Sequence, residues 1–402
     1  MLIVKKFGGT SLATPERIKL IANQLVEQKK AGDDLIIVVS AMGHTTDELI
    51  DKAMSVNDSP DPREMDMLLS TGEQMSCALM SMAIKGLGVQ AISMTGGMSG
   101  ITTDMHHKKA RITDIDSKKI LNKVNEGYIV VIAGFQGVTT EGAITTLGRG
   151  GSDTTAVAIA ASCSADLCEI YTDVDGVYSA DPRKVKTAKK HTAIHYDEML
   201  ELAKLGAGVL HPRSVEMAQK YNVNLVVRSS FENIPGTHIR KEQTMEQVVI
   251  RGVTMEDEIA RLTVSEVPDQ PGVAFRLFSQ LAKSHIAIDM IIQNYNHNGR
   301  NDMSFTVSRD DLKEAQQVCT EFLKGPDMSG SLDIKENIAK ISIVGTGILS
   351  SAETASKVFG TLSELGINIE MISTSELKLS VLIPSENSLK ALNSIHESLF
   401  YD

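Results

Sequence analysis

Apolar positions along this chain follow two rhythms. Short segments rich in Leu, Ile and Val have strand length: Leu2 to Lys6, Leu35 to Val39, Tyr128 to Ala133 and Leu167 to Thr172. Between the first two, Ile18, Ile21, Ala22 and Leu25 recur at helical spacing, with Thr14 at the N-cap, Pro15 at the first helical position and Gly32 at the end. Continuous apolar strands that alternate with helices predict a parallel sheet covered on both faces. The strands end at Lys6, Ser40, Gly134 and Thr172, each followed by Gly, Ser, Thr or Asp. Ligands of open α/β sheets bind beyond the carboxyl ends of the strands, so four candidate loops share one edge.

After about residue 245 the texture changes, and two stretches repeat each other. Ile259 to Val264 matches Ile338 to Ile343, and Ile286 to Ile291 matches Ile367 to Ile372, at offsets of 79 and 81 residues. The repeat predicts two small βαβ-type modules, each near the lower size limit for folding alone, so they pack on each other or across a subunit interface. In the second copy, Gly345-Thr346-Gly347 lies between a strand and a helix, with Glu370 about twenty residues on, as in a dinucleotide fingerprint. Ser350 replaces the third glycine and the first copy has Val267-Pro268-Asp269-Gln270-Pro271-Gly272 there, so the reading is a small-ligand module.

Composition narrows the class. The 402 residues are 42% hydrophobic and 23% charged, an ordinary globular balance that excludes a largely disordered chain. No run approaches about eighteen apolar residues, so no membrane span is expected. The net charge of −11 argues against general nucleic-acid binding. Arg183, Lys184, Lys186, Lys189 and Lys190 break the acidic trend, as a solvated loop or as a rim for an anionic ligand. Cys77, Cys163, Cys168 and Cys319 lack paired metal spacing and read as reduced, buried thiols. The first residues enter a strand with no signal-peptide pattern, so a cytoplasmic protein is expected.

Three loops and a few single residues carry candidate chemistry. In Lys6-Phe7-Gly8-Gly9-Thr10-Ser11, glycines admit an anion to backbone N–H groups and Lys6 adds charge; an ordinary tight turn before a helix fits as well. Leu147-Gly148-Arg149-Gly150-Gly151-Ser152-Asp153 precedes a small-residue helix that Ser152 or Asp153 would cap, and Arg149 offers a planar fork to a carboxylate or phosphate. Tyr171 to Arg183, with Asp173, Asp175 and Asp181, suits a nucleotide pocket or a loop of Asx turns. Glu73 suits a ligand ammonium group or the first turn of a helix, Thr46 is a hydroxyl donor, and His106-His107 reads as solvated.

Taken in order, Lys6 to Ser11, Ser40 to Leu49, Ser70 to Glu73, Thr146 to Asp153, Tyr171 to Arg183, His211 to Ser214 and Val227 to Ser230 resemble the motifs of the aspartokinases, a branch of the amino-acid kinase family. The resemblance covers essentially the whole chain. The repeated modules are similar to tandem ACT regulatory domains, and Ile372 to Glu376 is typical of the second. The resemblance implies an α/β fold: an open, mostly parallel sheet sandwiched by helices at 1–245, plus two βαβ-type α+β ACT modules at 246–337 and 338–402. It implies transfer of the ATP γ-phosphoryl group, with Mg²⁺, to the β-carboxylate of L-aspartate, the first step towards lysine, threonine and methionine. Lys6 then steadies the phosphoryl group beside Gly8 and Gly9, and Asp153 organises Lys6. Arg149 holds the α-carboxylate, Glu73 the ammonium group, and Thr46 and Ser152 touch substrate. Thr172, Asp173, Tyr178, Asp181 and Arg183 line the nucleotide pocket, and no resident metal site is implied.

Lysine, threonine or both are the implied effectors. Their expected contacts are Asp269, Ile292, Gln293 and Asn294 in one module and Asn368, Ile369, Ser373, Thr374 and Ser375 in the other. A homo-oligomer through the modules is implied, with a shorter regulatory subunit from an internal start at Met245 or Met255 as an option. Gly208 stands where many relatives carry Lys. The alternatives are an amino-acid kinase directed at glutamate and a catalytically silent amino-acid sensor.

Overall fold

A computed structural model describes residues 1–241, 249–296, 299–325, 328, 330–348 and 351–401. Met245 and Ser350 lie outside them. Two compact units result, Met1–Ser179 with Lys189–Met245, and Ala180–Ala188 with Glu246–Asp402.

The first unit opens with β1 (Leu2–Phe7), α1 (Pro15–Lys30), β2 (Asp34–Val39), α2 (Thr45–Val56), α3 (Pro62–Gly86) and β3 (Ala91–Met94). Then come β4 (Ile101–Thr103), β5 (Ile112–Ile115), α4 (Ser117–Asn125), β6 (Ile129–Ala133), β7 (Gln136–Val138), β8 (Ile144–Thr146), α5 (Gly151–Ser162) and β9 (Leu167–Thr172). It closes with β10 (Ala193–His195), α6 (Tyr196–Lys204), α7 (Pro212–Tyr221), β11 (Leu225–Ser229) and β12 (Thr237–Arg240). The main sheet has eight strands in the order β10-β12-β11-β9-β1-β2-β6-β3, parallel except between β11 and β12. Leu35, Ile37 and Val39 of β2 pack with α1 and α3, while Ile36 and Val38, buried on the other face, complete a strand with no solvent side. Thr14 caps α1 by accepting the Arg17 N–H at 3.3 Å, with Pro15 behind it. A second sheet, β5-β4-β7-β8, forms from strands too short and polar to signal themselves in the sequence.

In the second unit, β13 (Val249–Glu256) precedes two similar runs. The first is β14 (Ile259–Pro268), α8 (Val273–Lys283), β15 (Ile291–Asn296), β16 (Arg300–Ser308), α9 (Leu312–Leu323) and β17 (Ser331–Lys335). The second is β18 (Ile338–Thr346), α10 (Ala352–Glu364), β19 (Met371–Thr374), β20 (Lys378–Pro384) and α11 (Ser388–Phe400). The sheets run β15-β16-β14-β17 and β13-β18-β20-β19, antiparallel between all neighbours. Each expected βαβ is thus split by an inserted strand, and β13 completes the sheet of the second copy. Ala180 and Val185 bury into that copy's core.

All four cysteines are free and buried. Among the described residues, no helix is long and apolar enough to cross a membrane.

Candidate functional site

The adjacent parallel strands β9, β1, β2 and β6 bring four loops to one edge. Alternation along β1 sends Lys5 and Lys6 to opposite faces, both largely buried. Lys6 Nζ lies 2.6 Å from Asp153 Oδ1. A Cβ on Gly9 would stand 2.9 Å from the Ala41 carbonyl, so the loops after β1 and β2 meet only because that residue is glycine. The Gly8 N–H donates to the Tyr171 carbonyl at 3.3 Å, so in this state Gly8 contributes room, its missing Cβ lying 3.5 Å from Lys6 Nζ, more than a free donor.

Helix α5 corrects one expectation. Its N-cap is Gly150, at φ +68°, and Ser152 and Asp153 sit inside the first turn. There Asp153 gains from both the helix N-terminus and Lys6. Ser152, nearly buried, packs against Gly134, where an added Cβ would lie 2.9 Å from its own Cβ. Arg149 is exposed on the preceding turn, and no partner for its guanidinium is found among the described residues.

Glu73 lies midway along the 25-residue α3, not in a first turn. Gly72 lets that helix press on the post-β2 loop, since its Cβ would fall 2.9 Å from Ala41 Cβ. Glu73 is 4% exposed; Oε1 accepts the Ala41 N–H at 3.1 Å, and buried Oε2 has no partner. Burial pushes its pKa up to about 7. Thr46 is the second residue of α2 on the same loop, half-buried.

Beyond β9, the Thr172 hydroxyl donates to Asp173 at 3.0 Å. Asp175, singled out beside them, is engaged by the Tyr178 hydroxyl and Lys190 Nζ, each at 2.9 Å. Lys190 is therefore tied down and is no free member of a basic rim. Arg183 grips Asp181 in a bidentate pair at 3.0 and 2.9 Å, which holds that carboxyl below its ordinary range. Both belong to the 180–188 segment of the second unit. Gly208 adopts φ +68°, a conformation in which a Lys would be strained.

Several contributors escaped sequence reasoning. Phe135, after β6, holds φ +68° with its N–H on the Thr155 hydroxyl at 3.2 Å, a strained non-glycine position at the site edge. His107 is not solvated: its Nδ1 lies 2.7 Å from Asp66, which is fully buried and also accepts the Lys108 N–H and the Thr146 hydroxyl. Glu169 is buried between Lys5 Nζ at 2.9 Å and Arg228 Nε at 2.7 Å. His211-Pro212-Arg213 was noticed only as a motif. Residues paired across 41 or more positions leave no local signal.

In the first module a cavity of about 300 Å³ is lined by Asp269, Gln270, Gly272, Gln293, Asn301 and Met303, among others. Asn301 Nδ2 donates to Asp269 Oδ1 at 2.8 Å, while its own Oδ1 is buried without a partner. Gly272, at φ +94°, caps α8 and opens its N-terminus beside the cavity. Asp269 and Gln293 are thus brought together, and Asn301 was missed. Ile292 faces the other way, into a cluster with Ile259, Met290, Ile338 and Met371, and Asn294 shares its face of β15, so neither lines the cavity. In the second module Asn368 and Ile369 lie between α10 and β19, with Ile369 packed into that module's core. Ser373 and Thr374 are on β19, and the Ser375 N–H bonds the Lys378 carbonyl in the turn after it.

Comparison with known proteins follows these geometries. The model of the amino acid kinase family matches residues 1–229, and that of the ACT domain matches residues 264–322 and 341–399. An aspartokinase from Bacillus sp. (strain MGA3) is 49% identical over 398 residues, spanning 99% of this chain and 97% of that protein. The structure of E. coli aspartokinase III in complex with lysine and aspartate (T-state) matches with a TM-score of 0.77 and 25% identity, over 99% of each chain. The same enzyme in complex with aspartate and ADP (R-state) shares the fold with a TM-score of 0.84 at 24% identity, over 100% of each chain.

Proposed function

The chain belongs to the aspartokinases of the amino acid kinase family, and from that premise we infer that it transfers the γ-phosphoryl group of ATP to the β-carboxylate of L-aspartate. The product is 4-phospho-L-aspartate. The observation that carries the substrate assignment is Glu73, whose buried Oε2 lacks a partner. A substrate ammonium group supplies the missing charge and hydrogen bonds.

The chemistry needs no general base. A free aspartate side chain has a pKa of about 3.9 and is an anion at neutral pH. The obstacle is bringing that anion against a polyphosphate, so catalysis rests on positioning and charge. Lys6, held by Asp153, neutralises charge on the phosphoryl group in transfer. Arg149 takes the substrate α-carboxylate, and Thr46 and Ser152 offer hydroxyls. Gly8 and Gly9 keep the turn open to phosphate. Thr172, Asp173 and Tyr178, all in the first unit, are assigned to the nucleotide. Mg²⁺ brought in with ATP would add positive charge at the phosphates, and the carboxylates of Asp153 and Asp173 would hold it through water.

The regulatory half fits an amino-acid effector, and the relative crystallised with lysine supports lysine as one candidate beside threonine. Asp269 and the free Asn301 oxygen suit an ammonium group, and the N-terminus of α8 suits a carboxylate. Ile291 and Ile372 are exposed on the edge strands β15 and β19, which supports assembly of copies through the modules.

The test is ATP- and Mg²⁺-dependent acyl-phosphate formation, trapped as hydroxamate, with L-aspartate and L-glutamate compared and lysine, threonine or both added. Turnover with aspartate alone, suppressed by an added amino acid, is the expected result. Turnover with glutamate reassigns the acceptor. Silence with both, while lysine or threonine still binds, makes the chain a sensor.

A further inference from the structure

Arg149 stands on a tight turn closed by the Gly151 N–H on the Gly148 carbonyl at 2.9 Å. Gly148 and Gly150 flank it at φ +77° and +68°, and the guanidinium is exposed with no partner found among the described residues. Its direction is therefore set by whatever fixes the backbone on either side. Beyond that bond, three contacts from other segments orient the turn. The half-buried Arg213 donates from Nη1 to the Leu147 carbonyl at 2.9 Å and from Nη2 to the Ala110 carbonyl at 2.8 Å. The His211 ring fills the space beside Gly150 so closely that a Cβ there would lie 2.2 Å from His211 Cβ. The Lys108 carbonyl abuts Gly148, where a Cβ would lie 2.9 Å away. His211 also caps α7, its Nδ1 accepting the Arg213 backbone N–H at 3.3 Å, so the ring is fixed against the backbone that carries the guanidinium.

The Ala110 end of this clasp is itself anchored. The Ala110 N–H bonds the Thr146 carbonyl at 3.0 Å, and buried Asp66 holds the Lys108 N–H at 3.1 Å and His107 Nδ1 at 2.7 Å. One planar fork thus joins two backbone segments, 108–110 and 147–150, that share no helix and no long ladder. A Lys in its place offers a point charge and cannot span both carbonyls.

We propose that Arg213 is a positioning residue for the amino-acid substrate, acting through Arg149: it sets the turn that presents Arg149 to the substrate α-carboxylate. This rests on the assignment of Arg149 to aspartate. It predicts an effect mainly on one substrate, because among the described residues the hydrogen bonds of Arg213 end on Leu147, Ala110 and His211, none of them in the Lys6 turn or the loop after β9.

The experiment is steady-state kinetics of the full chain, read as hydroxamate, for Arg213→Ala, Arg213→Lys, Arg149→Ala and the Arg149→Ala/Arg213→Ala pair, with urea midpoints recorded for each. Arg213→Ala is expected to raise the aspartate KM about tenfold while the ATP KM stays within about twofold. Arg213→Lys, which keeps charge and one hydrogen bond, falls between and serves where the alanine variant is poorly folded. In the Arg149→Ala background, removing Arg213 adds nothing further to the aspartate KM, because the two act as one unit. Equal increases in both KM values, an unchanged aspartate KM in both Arg213 variants, or additive effects in the pair overturn the proposal. If the wild type phosphorylates aspartate and the Arg213 variants match it, only this inference fails. If the wild type makes no acyl phosphate from aspartate, the functional reading fails and takes this one with it.

Discussion

Replacing Glu73 with Gln separates charge from shape at the substrate end of the site. The carboxyl is 4% exposed, accepts one hydrogen bond from Ala41 and has one oxygen without a partner. Burial lifts its pKa from 4.5 to about 7 against the pull of backbone hydrogen bonds. A shift of that size corresponds to about 3 kcal/mol, at roughly 1.4 kcal/mol per unit. The sign follows from proton counting. Between the two pKa values the folded chain holds a proton that the unfolded chain has lost, so stability falls as pH rises through this window and the full deficit is present above about pH 7. Glu73→Gln cannot ionise. Its amide leaves a buried donor unpaired, but that cost does not change with pH. The stability of the wild type relative to the variant is therefore expected to drop by about 3 kcal/mol between about pH 4 and pH 8, measured by urea unfolding. The substrate reads the same proton from the other side. With a pKa near 7 the carboxylate is about one-tenth ionised at pH 6 and about nine-tenths at pH 8, so the aspartate KM of the wild type falls about tenfold across that interval. In the variant this slope vanishes and the KM at pH 8 rises on the order of a hundredfold, as for a broken buried ion pair. A wild-type aspartate KM that is flat from pH 6 to pH 8, or a variant whose stability parallels the wild type at every pH, refutes the reasoning.

Three further changes test other parts of the molecule. Asp153→Asn removes the charge 2.6 Å from Lys6 Nζ and is expected to lower kcat by about 10²- to 10³-fold in the hydroxamate assay, with the urea midpoint little changed. Asp269→Asn weakens the ammonium end of the module cavity and should raise the half-inhibitory concentration of lysine or threonine about tenfold or more, as read from inhibition curves. Lys340→Met removes a cation only 3% exposed that serves both Glu256, at 2.6 Å, and Asp289. Both carboxylates keep access to solvent, so the expected loss is about 2 kcal/mol in urea unfolding, less than for a pair buried on both sides.

What the chain discloses before folding depends on how local the cause is. The strands of the main sheet are legible because both faces are covered, and burial on both sides forces the unbroken Leu35 to Val39 and Ile129 to Ala133 runs. The short strands β4, β5, β7 and β8 are not, because three or four residues with Thr in them carry no period. The turns beside Lys6, Arg149 and Asp153 were legible because glycines announce them. Glu73 could be named, but not placed, since a position midway along a long helix depends on where that helix begins. Phe135 was out of reach, because nothing in a Phe codon position announces a positive φ. Asn301 was missed for another reason: it enters the module cavity from a strand whose neighbour, not its own sequence, brings Asp269 within 2.8 Å.

The repeat also conceals a reciprocity. Arg261 and Lys340 occupy corresponding positions in the two copies, as do Asp289 and Glu370. Each cation reaches the acid of the other copy: Arg261 lies 3.2 Å from Glu370, and Lys340 bonds Asp289. Each also reaches an acid on the outermost strand beside it, Arg261 to Asp333 on β17 at 3.2 Å and Lys340 to Glu256 on β13 at 2.6 Å. Between these ion pairs Ile259, Met290, Ile338 and Met371, again two corresponding pairs, form one buried cluster. A module of this size is near the lower limit for burying enough apolar surface to stand alone. Pairing two copies face to face supplies the missing burial, and the crossed charges fix the register in which they meet, since a slip of one residue along either first strand would turn its cation to the other face of the sheet. The same logic accounts for β13. Lying before the first copy in sequence, it completes the sheet of the second and covers Ile341 and Ile343, residues that a four-stranded sheet buries and a three-stranded one leaves at an edge. The two modules are therefore separable as repeats in the sequence but share one buried cluster and crossed ion pairs in the structure.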